Sequence, residues 1–259
     1  CQFIMCLPFL PFGRHKVCMK LEEMTWCEVE TYLEGSRGII LPTGSIEQHG
    51  PLGLIGTDSI CAREISWAAA RQCGAIVAPE ISYAPAPFNM SFPGTVSLSP
   101  ELYEGLVSSV LTSLAQHGFK RIYILNGHGA NLDTLRALSD RNPQTICVKS
   151  WWDFEPVNKL RTKFYGDWEG MHATPSEVAI TQRTHRIVTG AHIEPPEKLS
   201  PEYIRAHAGD KHGPPDQHRA QFPDGRVGSH SGLAKAEHGK QLLETAARSV
   251  AEDYLRFLG

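Results

Sequence analysis

One stretch constrains the fold more than any other: Arg121-Ile-Tyr-Ile-Leu125, then the loop Asn126-Gly-His-Gly-Ala130, then helical periodicity from Leu132 to Arg141. A short β-branched and aromatic run that ends in a glycine-rich loop and passes into a helix is one α/β unit. The same grammar recurs along the chain. Gly38-Ile-Ile-Leu-Pro42 reads as a buried strand running into Thr43-Gly44, and apolar residues follow at helical spacing from Ser59 to Cys73. Ala75 to Ile81 reads as a strand, Pro100 to His117 as an amphipathic helix closed by Gly118, and Thr145 to Trp151 as a further strand. This alternation predicts an α/β domain with a largely parallel sheet. Thr174-Pro-Ser-Glu177 opens another helix, with Thr as N-cap, Pro in the first turn and Glu at the third position. Residues 194–231, rich in Pro, Gly and His, read as a long irregular excursion, at a subunit contact or over the site, before a closing helix from Ala234 to Leu258.

A chain of 259 residues can bury a substantial core, and we read it as one domain. A polar helical pattern begins after Met19, so residues 1–18 read as an N-terminal extension outside the fold, and residues 19–259 as the domain. The apolar run Phe3 to Phe12 is interrupted by Pro8 and Pro11, which disfavours a signal peptide, and it is too short to span a bilayer. A formal net charge of −3 without a run of Lys or Arg gives no reason to expect nucleic acid or a membrane as partner, which leaves a small-molecule substrate as the expectation. The seven cysteines are odd in number, scattered and without a Cys-x-x-Cys pair, so they read as reduced thiols of a cytoplasmic protein.

In open α/β sheets ligands bind beyond the carboxyl ends of the strands, and two loops there carry chemistry. Thr43-Gly-Ser-Ile-Glu-Gln-His-Gly-Pro51 places Glu47 and His49 two apart, on one side of an extended segment, with Asp58 following a Gly-rich turn. In the second loop His128 stands between two glycines, which let backbone crowd a ligand that a β-carbon would obstruct. Two carboxylates and two imidazoles form a nitrogen and oxygen set suited to zinc, manganese or iron. One carboxylate bridging two ions would allow a binuclear centre, of the kind that activates water near neutral pH and polarises a carbonyl. Each residue also has a plainer explanation. Asp58 could be only a helix N-cap, Glu47 and His49 solvated loop residues, His128 a residue tolerant of unusual backbone angles, and Glu177 only the partner in a capping box.

The motifs Leu41-Pro-Thr-Gly-Ser-Ile-Glu-Gln-His-Gly-Pro51, Gly56-Thr-Asp58, Phe92-Pro-Gly-Thr95 and Asn126-Gly-His-Gly-Ala-Asn131 together resemble the creatininase family of amidohydrolases. Gly225-Arg-Val-Gly-Ser-His-Ser-Gly232 continues the likeness, which covers most of the chain after Met19. The resemblance implies a three-layer α/β/α sandwich and a homo-oligomer, a hexamer in the usual case. It implies Glu47, His49, Asp58 and His128 as ligands of two divalent ions, zinc or manganese with iron as a further choice, and Asp58 as their bridge. His172-Ala-Thr-Pro-Ser-Glu177 resembles the segment in which a histidine and a glutamate line the site, which implies proton transfer by His172 and metal binding or support by Glu177.

Three departures bear on the substrate. Creatininase carries a carboxylate where this chain has Ala130, and Glu177 is the leading substitute. Leu52 stands where many relatives have His, and Pro87-Phe-Asn-Met-Ser91 lacks the His often found before Phe-Pro-Gly-Thr. Creatinine itself is thereby disfavoured. The expected activity is hydrolysis of a C–N bond other than a peptide bond, in a small cyclic amide, amide or formamide, by a metal-bridging hydroxide. Trp151 and Trp152 could stack on a planar heterocycle, with at least one of them expected in the core. The alternatives are a formamidopyrimidine-type deformylase, a peptide-trimming relative, a hydrolase of carbocyclic sugar derivatives, or a silent metal-binding subunit of the same fold. No Gly-x-Ser-x-Gly elbow or phosphate-cradling glycine motif competes with these.

Overall fold

The computed structural model describes residues 19–189 and 193–259, so the predicted extension 1–18 lies outside the described residues. Five parallel strands make the sheet: β1 (Met19–Lys20), β2 (Gly38–Thr43), β3 (Ile76–Val77), β4 (Arg121–Asn126) and β5 (Ile146–Ser150), in the order β1-β3-β2-β4-β5. Alternation along each strand divides the core in two. Ile40, Val77, Tyr123 and Leu125 face one layer, with α2 (Thr57–Cys73), α5 (Glu155–Tyr165), α6 (Pro175–Thr184) and α9 (Ala236–Leu258) packed over them. Ile39, Leu41, Ile76, Ile122, Ile124 and Ile146 face the other, under α1 (Trp26–Gly35), α3 (Pro100–Gln116) and α4 (Leu132–Arg141). Side chains that alternate between two buried faces produce the three-layer α/β/α sandwich expected from the sequence.

Helix starts follow their local chemistry. The hydroxyls of Thr25, Ser99 and Thr174 accept backbone N–H groups at the starts of α1, α3 and α6, and Thr25 with Glu28 and Thr174 with Glu177 form complete capping boxes. Two strand boundaries differ from expectation. The run Ala75 to Ile81 contributes only Ile76 and Val77 to the ladder, because Pro79 has no N–H to donate; Ile81 rejoins by donating to the Pro42 carbonyl. The last strand is trimmed to Ile146–Ser150. α5 was not anticipated, although Pro in its first turn and Val157, Leu160 and Phe164 along one face are a legible helical pattern. Residues 194–231 hold two short helices, α7 (Pro201–Ala206) and α8 (Pro215–Gln221), rather than wholly irregular chain.

The connections place the site. From β2 the chain crosses through α2 to β3 on one side, whereas β4 leads through α4 to β5 on the other. The strand order therefore reverses between the adjacent strands β2 and β4, and their carboxyl ends open the crevice where ligands bind in such sheets.

Candidate metal centre

Both chemically marked loops leave the sheet at this crevice, and they are braced to one another. Asn126 Oδ1 accepts from His128 N at 3.2 Å and Asn131 Nδ2 at 3.2 Å, and its amide donates to the His128 carbonyl at 2.7 Å. Asn131 Nδ2 also donates to the Gly44 carbonyl at 3.0 Å, tying the second loop to the first. A β-carbon at Gly127 would collide with the carbonyl of Asp58, so glycine here admits the first turn of α2 rather than a small ligand.

Glu47, His49, Asp58, His128, His172 and Glu177 converge in one buried cluster. Asp58 lies at its middle. Its Oδ1 is 2.9 Å from His49 Nε2, while its Oδ2 is 2.9 Å from His128 Nδ1 and accepts from Ser45 Oγ at 2.8 Å. The N-cap explanation for Asp58 is therefore wrong: it lies inside the first turn of α2, Gly56 is the cap residue, and the carboxylate points away from the helix N–H groups. Glu47 is fully buried, with Oε1 3.2 Å from His128 Nδ1 and 3.5 Å from His172 Nδ1. Two overlapping triads result, Glu47 with Asp58 and His128, and His49 with Asp58 and Glu177, sharing only Asp58. A third grouping joins Glu47, His49 and His172.

The outer contacts aim these donors. His128 Nε2 donates to the Pro85 carbonyl at 2.7 Å, and His49 Nδ1 donates to the Glu47 carbonyl at 3.0 Å. These bonds assign the ring protons by network and turn His128 Nδ1 and His49 Nε2 towards the carboxylates. Asn89 Nδ2 donates to Glu47 Oε2 at 3.0 Å, which leaves Glu47 Oε1 buried without a hydrogen bond among the described residues. Glu177 caps its helix and faces the cluster. Its Oε1 accepts from Thr174 N at 2.5 Å, closing the capping box, and lies 3.9 Å from His49 Nε2.

Burial would push His49 down, yet Asp58 above all, with Glu177 and Glu47, raises it to about 10. His128 is likewise raised against its burial by Glu47 and Asp58. Asp58, despite burial, is held far below the usual carboxylate range by His49 and His128, and Glu47 is lowered against burial by His128 and His172. Burial instead raises Glu177 to about 8 and lowers His172 to about 4. Clustered carboxylates in a dry pocket demand positive charge, which protonated His49 and His128 supply to the bare chain. An orphaned carboxylate oxygen, oriented imidazole nitrogens and a nitrogen and oxygen donor set fit a pair of divalent cations.

A cavity of about 170 Å3 opens over the cluster, lined by Trp151, Trp152, Arg161, Met171 and Asp210 as well as by ligand candidates. Trp151 is buried and belongs to the core, edge-on to the half-buried Trp152 at 5.4 Å between centroids. At least one of the pair is thus a core residue, as expected. The sequence reading overlooked Asn89, Ser45 and Asp210. Nothing local marks Asn89 or Ser45, because their role is set by residues 42 and 13 positions away. For Asp210 the signal was the Gly-Asp pair within an excursion expected at a subunit contact or over the site.

The creatininase family model, creatinine amidohydrolase, matches residues 22–254. The chain belongs to the creatininase family. It is 27% identical over 252 residues to a creatinine amidohydrolase of Pseudomonas putida, covering 89% of this chain and 94% of that protein. A mycofactocin precursor peptide peptidase of Mycolicibacterium smegmatis is 35% identical over 105 residues, 38% of this chain and 42% of that one. Among solved structures, a mutant creatininase of Zn-Zn type superposes with a TM-score of 0.69 at 25% identity, covering 93% of this chain and 98% of that chain. One described as creatininase Mn gives 0.70 at 24%, covering 93% and 99%. The family is one of hydrolases, and the fold is shared over nearly the whole chain. Among the described residues no helix is long and apolar enough to cross a membrane.

Proposed function

We propose that this member of the family is a two-metal amidohydrolase that cleaves the C–N bond of a small amide, cyclic amide or formamide. The observation that carries this reading is Asp58, whose two oxygens face two different triads of ligating side chains. Glu47 and His128 would hold one cation with Asp58, and His49 and Glu177 would hold the other. Zinc and manganese suit that donor set, and the Zn-Zn type relative supports zinc. When bound, the pair supplies a water activated near neutral pH and polarises a carbonyl.

The chain's own residues do the rest. Among the described residues, His172 Nε2 donates to the Gln48 carbonyl at 2.7 Å, and burial keeps the ring neutral, so the lone pair of Nδ1 faces the site. That nitrogen accepts a proton from the attacking water and delivers it to the leaving nitrogen. Trp151 and Trp152 wall the cavity. Its volume lies well below the roughly 300–1,000 Å3 of drug-sized ligand sites, which favours a small substrate over a peptide. Leu52 and the Pro87–Ser91 segment disfavour creatinine.

We further assign residues 19–259 to one amidohydrolase domain, in keeping with the match over 22–254, and place the protein in the cytoplasm as a homo-oligomer. Exposed Leu102 and Leu106, one turn apart on α3, support assembly. The test of the function is elemental analysis of Asp58→Ala and His172→Ala, with turnover of small amides, lactams and formamides. Asp58→Ala should release both ions. His172→Ala should keep both and lose turnover; an Asp58→Ala protein that retains two ions refutes the bridge.

A further inference from the structure

Asp210 enters the cavity from the excursion and lies against the loop that follows β4. Its carboxylate is only 10% exposed, yet its contacts with imidazoles are long: Oδ2 is 3.9 Å from His128 Nδ1, and Oδ1 is 4.0 Å from His212 Nε2. The chain goes to some length to put it there. Gly209 and Asp210 both adopt left-handed backbone, φ 76° and 57°, a conformation disfavoured for a residue with a side chain but tolerated best by Asn and Asp. A β-carbon at Gly129, next to His128, would run into Asp210 Oδ2, so the second loop carries glycine where the carboxylate crosses it.

A second observation points the same way. His212 has a side chain only 1% exposed, and neither of its ring nitrogens has a hydrogen-bond partner among the described residues. At least one of those nitrogens carries a hydrogen, and a buried unsatisfied donor is costly. Its Nε2 faces Asp210 Oδ1, so a small approach of the carboxylate satisfies it and leaves Oδ2 for whatever enters the cavity. Phe88, 4.9 Å from the His212 ring, backs the imidazole and limits where it can turn.

We propose that Asp210 reads the substrate: its Oδ2 accepts a hydrogen bond from an N–H group beside the scissile carbonyl, and it thereby selects amides and lactams that carry that hydrogen. His212 is the positioning residue behind it, and Trp151 and Trp152 wall the same cavity around the planar amide. The inference rests on the amide-hydrolysing reading of the metal centre. It commits to a substrate class, secondary or primary amides over fully substituted ones.

The test measures binding rather than turnover, by calorimetry on zinc-loaded protein with 2-pyrrolidinone and N-methyl-2-pyrrolidinone as probes. Wild type should bind the N–H lactam about 10-fold or more tightly than its N-methyl analogue, as expected for a hydrogen bond to a carboxylate. In Asp210→Ala the two lactams should bind within about 2-fold, with metal content unchanged. Gly129→Ala, which displaces the carboxylate without removing it, should erase the preference in the same way. Wild type that binds the two lactams equally or binds neither, or an Asp210→Ala protein that keeps the preference, overturns the inference. Loss of metal in Asp210→Ala also overturns it, by making Asp210 a ligand. Wild type that takes up no cation sinks the metal-centre reading itself, which separates the two failures.

Discussion

Asp58 and Glu177 show how one side chain comes to serve two demands. Asp58 begins a helix and still spends both oxygens outside it, on His49, His128 and Ser45. Glu177 closes a capping box and presents the same oxygen to His49. Glutamine can still close such a box, so Glu177→Gln should leave stability within about 0.5 kcal/mol of wild type while one of two ions is lost. Unchanged metal content with a lower Tm would return Glu177 to a capping role alone. Protons compete with cations here. His49, raised to about 10 in the metal-free site, is protonated below that pH and must lose its proton to bind a cation through Nε2. Metal uptake at pH 7 should therefore release protons, and affinity should rise with pH towards 10. Calorimetry in buffers of different ionisation enthalpy measures this, and uptake without proton release would contradict the assignment. Glu47, His49 and His128 were legible because each sits in a strand-end loop whose spacing displays it, and Asp58 because it follows the Gly-rich turn that ends the first of those loops. Asn89 was not, since its role is to hold Glu47 from a segment far along the chain.

At the level of elements, the sequence signalled helices with caps and strands with long apolar runs, and was weaker where tertiary pairing decides. β3 is two residues long because Pro79 interrupts a run that otherwise looks like a full strand. α5 escaped notice because its polar residues mask a narrow apolar face. One packing contact makes a sharp expectation. α9 crosses α6 so closely at Gly239 that a β-carbon there would meet the Ala179 carbonyl, and backbone cannot yield as a flexible side chain can. Gly239→Ala should destabilise by about 1–3 kcal/mol despite alanine's better helix propensity. Chemical denaturation measures the change, and a stabilised variant would show that the two helices are free to part.

On the scale of the whole molecule, the site draws on segments far apart in sequence: the loops after β2 and β4, the first turn of α2 and the start of α6. Cations bound there would cross-link these segments, so stripping them with a chelator should lower Tm. Ligand held at about 100 times its Kd contributes about 2.7 kcal/mol, which for a chain of this size corresponds to about 2–4 °C per kcal/mol. An unchanged melting curve after verified metal removal would mean that the site is held by protein contacts alone. The overall architecture was legible from strand and helix alternation, whereas residues 194–231 were legible only as an irregular excursion at a subunit contact or over the site, because they carry no regular period.

That division has a consequence for how new activities arise on this scaffold. The ligand candidates hang from the sheet and the first turns of α2 and α6, but Asp210 and His212 arrive on a stretch of chain that contributes no strand. Mutation can thus rewrite what the enzyme accepts without disturbing the apparatus that breaks the bond. Transplanting that stretch from a relative with another appetite is the shortest route to a changed one here.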